Sequence, residues 1–246
     1  MRNLSIILIL FIHLNIYGQS DLPKLNCEEF DYSINSNMRM NLKFLSFEKY
    51  NESDKDTIQK DKVKTSENIE LNKIFQKKHP NKITKHCINS NYYDRDSITN
   101  LTYCDEKTKI KLVDKKANFY IFKIDAFEVN NYLLFNIDNE VIYTINNFPQ
   151  ILENGKIVID AGFEYGGYNV INYYIFKDRK LKYFEFIVPT YYHLQNLKLL
   201  KSFNYKTKVI GDFIRYDYKE VPNKEGFGKK HEYDKDKFCR KLIMIF

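Results

Sequence analysis

Tryptophan is absent from this chain of 246 residues, proline occurs five times, and alanine stands only at 117, 126 and 161. Lys, Asn, Ile, Tyr and Phe are abundant instead, and all five are read by A/T-rich codons. Such a bias raises lysines and rings together without selection for any partner. That bears on the formal net charge of +7, which comes from 39 basic and 32 acidic residues beside 20 Tyr and 19 Phe. Basic residues among aromatics are the composition of a single-strand nucleic-acid binder. No block of one charge sign accompanies them, however. Acids and bases interleave, as in Glu106-Lys107 and Asp234-Lys235-Asp236-Lys237. A basic arm would read otherwise, so the composition argues against a nucleic-acid partner.

Familiar catalytic signatures are missing as well. There is no G-x-S-x-G, no H-E-x-x-H and no phosphate loop, which leaves the commonest serine-hydrolase, zinc-protease and nucleotide-hydrolysing sites without a starting point. No cofactor is implied. After the first twenty residues no apolar run has the roughly 20 residues that a membrane-spanning helix requires.

Residues 1–20 read MRNLSIILILFIHLNIYGQS. Arg2 supplies a positive start, Leu4 to Ile12 an apolar run, and Gly18 to Ser20 a small-residue exit. This is the pattern of a cleaved secretory signal, cut between residues 18 and 20. Cys27 follows Lys24-Leu25-Asn26 rather than a small-residue lipobox, so it is not a lipid-attachment site. The expected location is secreted or periplasmic.

Export makes an even number of cysteines read as disulfides. Cys87 and Cys104 flank a polar stretch that resembles a loop, and Cys27 and Cys239 lie near the two mature ends. The expected pairs are therefore 87–104 and 27–239. A competing reading takes His79, His86, Cys87 and Cys104 as zinc ligands. Their spacing fits no common site, with neither C-x-x-C nor H-x-x-x-H present.

Two regions follow the signal, 21–107 and 108–246, unless 21–246 is one domain. In the first, Met38, Met40, Leu42 and Phe44 alternate with polar residues as in a half-buried strand. Residues 48–68 are polar and charged, and read as an exposed loop or insert. Ser66 is the expected cap of a helix carrying Leu71, Ile74 and Phe75, with Pro80 beyond its end. The second region is strand-rich. From Phe119 to Ile124 both faces are apolar, which predicts a strand covered on two sides. Asp138-Asn139 and Asn154-Gly155 read as tight turns. Leu194, Leu197 and Leu200 are spaced for a helix, although strand is open. Val209 to Tyr218 and Phe238 to Phe246 read as closing strands, with a polar loop before the last. The fold class is mainly β with one or two helices, an antiparallel meander in a sandwich-like or curved sheet.

The stretch GFEYGGYNVINYYIFKDRKLKYFEF, residues 162–186, concentrates rings and glycines. Branched and ring side chains suit a pleated sheet, so sheet core accounts for most of it. A ligand platform would need Tyr165, Tyr168, Tyr173 and Tyr183 on one exposed face. For chemistry, His193 is the candidate base, and Asp160 and Glu164 form a candidate carboxylate pair for work on a sugar. Two function classes follow. One is an exported, non-catalytic binding or interaction module (an inhibitor, an immunity-type protein or a surface component) whose partner is a protein or an extracellular polymer. The other is a small extracellular hydrolase using Asp160, Glu164 or His193. A lesser alternative is an outer-membrane β-barrel, suggested by Leu242, Met244 and Phe246 at alternate positions.

Overall fold

The alternating and doubly apolar runs of the second half become strands, and so does much of what looked like polar loop. The computed structural model describes residues 42–94, 97–126, 131–163, 169–177, 180–188, 192–201, 207–223 and 228–245. Residues 1–20, expected from sequence to be an export signal, and Met38 and Met40 lie outside them. The elements are β1 (Leu42–Leu45), α1 (Phe47–Asp54), β2 (Thr57–Ile58), α2 (Ile69–Lys78), β3 (Cys87–Asp94), β4 (Ser97–Cys104), β5 (Lys109–Lys116), β6 (Phe119–Asp125), β7 (Tyr132–Asn136) and β8 (Val141–Ile145). There follow β9 (Gln150–Leu152), β10 (Ile157–Phe163), β11 (Asn169–Lys177), β12 (Lys180–Ile187), β13 (Tyr192–Leu200), β14 (Val209–Pro222) and β15 (Lys229–Ile245). Among the described residues the chain is mainly β with two α-helices, as its composition and periodicity predict.

Among the described residues the strands form three sheets, ordered β4-β3-β8-β7-β6-β5, β12-β11-β10-β9 and β1-β15-β14-β13-β2. The described pairings are antiparallel apart from β3 with β8, which is parallel. Residues 42–213 and 241–245 form one compact unit, and residues 214–240 of β14 and β15 form a second.

The six-stranded sheet explains why β6 is apolar on both faces. Phe119 and Ile121 point into a core shared with Val158 and Tyr174 of β10 and β11. Tyr120 and Phe122 point the other way, into a core closed by Phe75 of α2. The Phe75 ring meets Tyr120, Phe122 and Phe135 edge-on at 5.0, 5.0 and 5.2 Å, an arrangement that suits the ring quadrupoles. Cutting such a wholly buried ring to alanine costs about 3–5 kcal/mol.

Several local expectations are corrected. The polar stretch 48–68 is not all loop. Ser46 accepts a hydrogen bond from the Lys49 amide and caps α1, and β2 then pairs with β13. The cap of α2 is Asn68, not Ser66, because Asn68 Oδ1 reaches the Leu71 amide at 3.1 Å. The polar stretch between Cys87 and Cys104 is the hairpin β3–β4. The leucines after Thr190 lie on a strand, and Asn196 at φ 51° interrupts its alternation, which is how a strand comes to imitate helical spacing. The charged residues from Lys229 onward belong to β15. Asn154-Gly155 is a turn with both residues left-handed, at φ 53° and 89°. A Cβ on Gly155 would lie 2.0 Å from Asn118 Oδ1, so this position requires glycine.

Candidate functional site

Asp160 lies in mid-strand on β10, wholly buried, and it is the hub of a polar network. Oδ2 accepts from the Asn146 amide at 2.7 Å and from Asn172 Nδ2 at 3.3 Å, and Oδ1 accepts from the Asn147 amide at 2.9 Å. Burial pushes the carboxyl upward from its ordinary pKa, and these donors pull part of the way back. Asn172 leads on to Tyr183, whose hydroxyl is 2.9 Å from Asn172 Oδ1 and 2.8 Å from Glu185 Oε1. Asp160 thus fastens the turn after β8 to the sheet of β10 and β11. A carboxylate so enclosed is built to hold structure, and Glu164, its expected partner, lies outside the described residues.

The tyrosines do not share a face. Tyr183 stands opposite Tyr174 and packs on the core that contains Val158. Tyr173 points to the other side, buried, and donates to the Thr207 carbonyl at 3.2 Å. Its hydroxyl is pushed well above the ordinary tyrosine pKa by burial. Tyr165 and Tyr168 lie outside the described residues. His193 is half-buried on β13, and burial lowers its pKa.

Cys87 and Cys104 are directly opposed across the β3–β4 hairpin, with Cα atoms 4.2 Å apart, and are joined by a disulfide. Cys27 and the side chain of Cys239 lie outside the described residues. The zinc reading is corrected by what surrounds its ligands. Bonded to each other, the sulfurs are not thiolates. His79 is buried, packs against Phe75 and Phe135, and sits 3.0 Å from Glu140 Oε1. His86 Nδ1 is 2.7 Å from the Thr108 carbonyl. Among the described residues no group of three or more His, Cys, Asp or Glu is placed to hold a metal ion.

The disulfide also fixes which backbone groups of β4 face outward. In an antiparallel pair, residues about 4.5 Å apart are those that do not exchange hydrogen bonds. The Cys87 carbonyl accepts from Thr84 and the Asn89 amide donates to Lys82, so both turn away from β4. The ladder then runs through Ser97, Thr99, Leu101 and Tyr103. Ile98, Asn100 and Thr102 direct their amides and carbonyls to the open side.

Among the described residues β4 is the last strand of its sheet. Seven of its eight residues are exposed, and none is charged. The opposite edge, β5, is different: Lys109, Lys111, Asp114, Lys115 and Lys116 line it, and a bulge interrupts it between Leu112 and Asp114. Charges and bulges are the usual defences of an edge against strand pairing. One edge of this sheet is protected and the other is left open.

Comparison with protein-family models, curated proteins and solved structures gives no match. The assignment of a site therefore rests on the chain itself. The open edge was not foreseen from sequence, because SITNLTYC reads as polar loop until its pairing is known. The uncharged run from Ser97 to Cys104 was the available signal.

Proposed function

We propose that this is an exported interaction module that binds a partner protein by adding one of the partner's strands to β4. The observation that carries this reading is the contrast between the two edges of the six-stranded sheet. β5 bears charges and a bulge, whereas β4 is uncharged, exposed and stapled to its neighbour by a disulfide. In strand addition, main-chain hydrogen bonds supply affinity and alternate side chains supply specificity. The added strand would meet Ile98, Asn100 and Thr102 on one face and Thr99, Leu101 and Tyr103 on the other. An uncharged segment rich in β-branched residues suits both faces. The disulfide supports an oxidising compartment, and the first twenty residues supply the export signal expected from sequence. No helix among the described residues is long and apolar enough to cross a membrane.

The test uses proline as a probe of one backbone amide at a time. Asn100→Pro removes an outward amide and leaves the β3–β4 ladder intact, so the variant keeps its fold. Partner binding, measured with the exported proteins of the source organism and a photo-crosslinker at Ile98, falls about tenfold or more. Leu101→Pro removes a ladder amide and unfolds the hairpin. Crosslinks that map away from β4, or an Asn100→Pro variant that binds like the wild type, refute the reading.

A further inference from the structure

A second feature lies within the larger unit, away from β4. A cavity of about 420 Å³ is walled by Phe148, Ile159, Leu197, Leu199 and Val209 and carries Lys60, Lys123, Asn147 and Gln150 among its polar lining. Its size falls within the range of small-molecule sites, which run from roughly 300 to 1,000 Å³. On the order of a dozen non-hydrogen atoms fit such a space.

The polar groups are unevenly disposed. Asp61 is an acid in the lining, but it is ion-paired with Lys116, and its amide donates to Gln150 Oε1 at 2.7 Å. Lys123 is almost wholly buried, and its ammonium donates to the Ile124 carbonyl at 3.2 Å and lies 4.8 Å from the Tyr132 ring centroid. Its ion pair with Asp125 is long, at 3.5 Å. Lys60, an exposed residue at the edge of this lining, has no carboxylate within ion-pairing distance among the described residues, and the desolvation of its ammonium by neighbouring protein lowers its pKa. Asn147 Nδ2 is buried without a hydrogen-bond partner of ordinary geometry, although the side chain is near enough to help hold the Asp160 charge. The Lys123 ammonium is already satisfied, donating also to the Asn131 carbonyl at 3.4 Å, whereas a buried donor such as Asn147 Nδ2 without a well-aligned acceptor is costly. A ligand that supplies acceptors and negative charge offsets that cost, and the apolar walls accept a hydrocarbon body.

We infer that this cavity binds a small organic monoanion, a carboxylate with an apolar body, its charged end at Lys60 and Asn147 and its body against Phe148, Ile159 and Leu199. This inference is independent of strand addition at β4.

Octanoate tests it, with 1-octanol as the neutral counterpart. Isothermal titration of the full exported protein gives saturable, one-to-one binding of octanoate. Binding of 1-octanol is at least about tenfold weaker. Lys60→Met weakens octanoate about tenfold and leaves 1-octanol unchanged. Lys60 is at the rim, so this variant folds, and an unchanged melting temperature without ligand verifies it. Ala161→Phe, which fills the cavity from β10, abolishes both. No saturable octanoate binding to folded protein overturns the inference. Equal affinity for the two ligands, or octanoate binding that Lys60→Met leaves unchanged, also overturns it.

Discussion

Asp160 is held from two directions, by backbone amides of the turn after β8 and by the side chain of Asn172. Its folded pKa is raised by burial, so the folded chain holds this proton more tightly than the unfolded chain does. Stability from this group is then fully present below its ordinary value of 3.8 and declines as pH rises through the folded value. Asp160→Asn removes that titration. The variant's urea midpoint is expected to vary less between pH 4 and pH 7 than the wild type's, a comparison that repeated denaturation curves make directly. Asp160→Ala leaves the Asn146 and Asn147 amides without their acceptor and costs about 1–3 kcal/mol or more. The acid at position 160 was visible in the sequence, but its burial was not. That depends on Asn146 and Asn147 in the turn after β8 and Asn172 on β11 arriving from two other segments. His79 shows the same limit: its sequence neighbours Lys77, Lys78 and Lys82 are basic, yet the side chain packs, buried, against the rings of Phe75 and Phe135.

Elements were legible where the pattern was long and regular. Phe119 to Ile124 announced a strand buried on both sides, and Asp138-Asn139 and Asn154-Gly155 announced turns. β13 was ambiguous because Asn196 at φ 51° shifts its alternation. The hairpin β3–β4 was hidden for another reason: an exposed edge strand needs no apolar alternation, so Asn89, Asn91 and Asn100 gave it the composition of a loop. Its staple has a measurable weight. Joining residues 17 apart in sequence restricts the unfolded chain by about 3 kcal/mol. The double variant Cys87→Ser, Cys104→Ser is expected to lose about 3 kcal/mol of unfolding free energy, read as a lower urea midpoint, with the hairpin amides losing protection first. Equal stability would mean that the cores on either side of the sheet hold β4 without the covalent link.

At the scale of the molecule, the six-stranded sheet is covered on one face by α2 and on the other by β10–β12, and on its β5 border the Ile110 amide and Leu112 carbonyl are already bonded to Lys85 and Asn68, so among the described residues the β4 border is what remains for a partner. The class of fold followed from composition and periodicity. Which border was defended did not, because that requires the strand order, and the parallel pairing of β3 with β8 cannot be read from local sequence. The central claim is that β4 is an open edge with alternate amides free. Residue-resolved hydrogen exchange across β4 tests this most directly, first on the isolated protein and then with the exported proteins of the source organism. Fast exchange at Ile98, Asn100 and Thr102 beside slow exchange at Thr99 and Leu101, with the fast set becoming protected when the partner is added, is the predicted result. Slow exchange at all five in the isolated monomer would mean that the edge is already covered and would contradict the account.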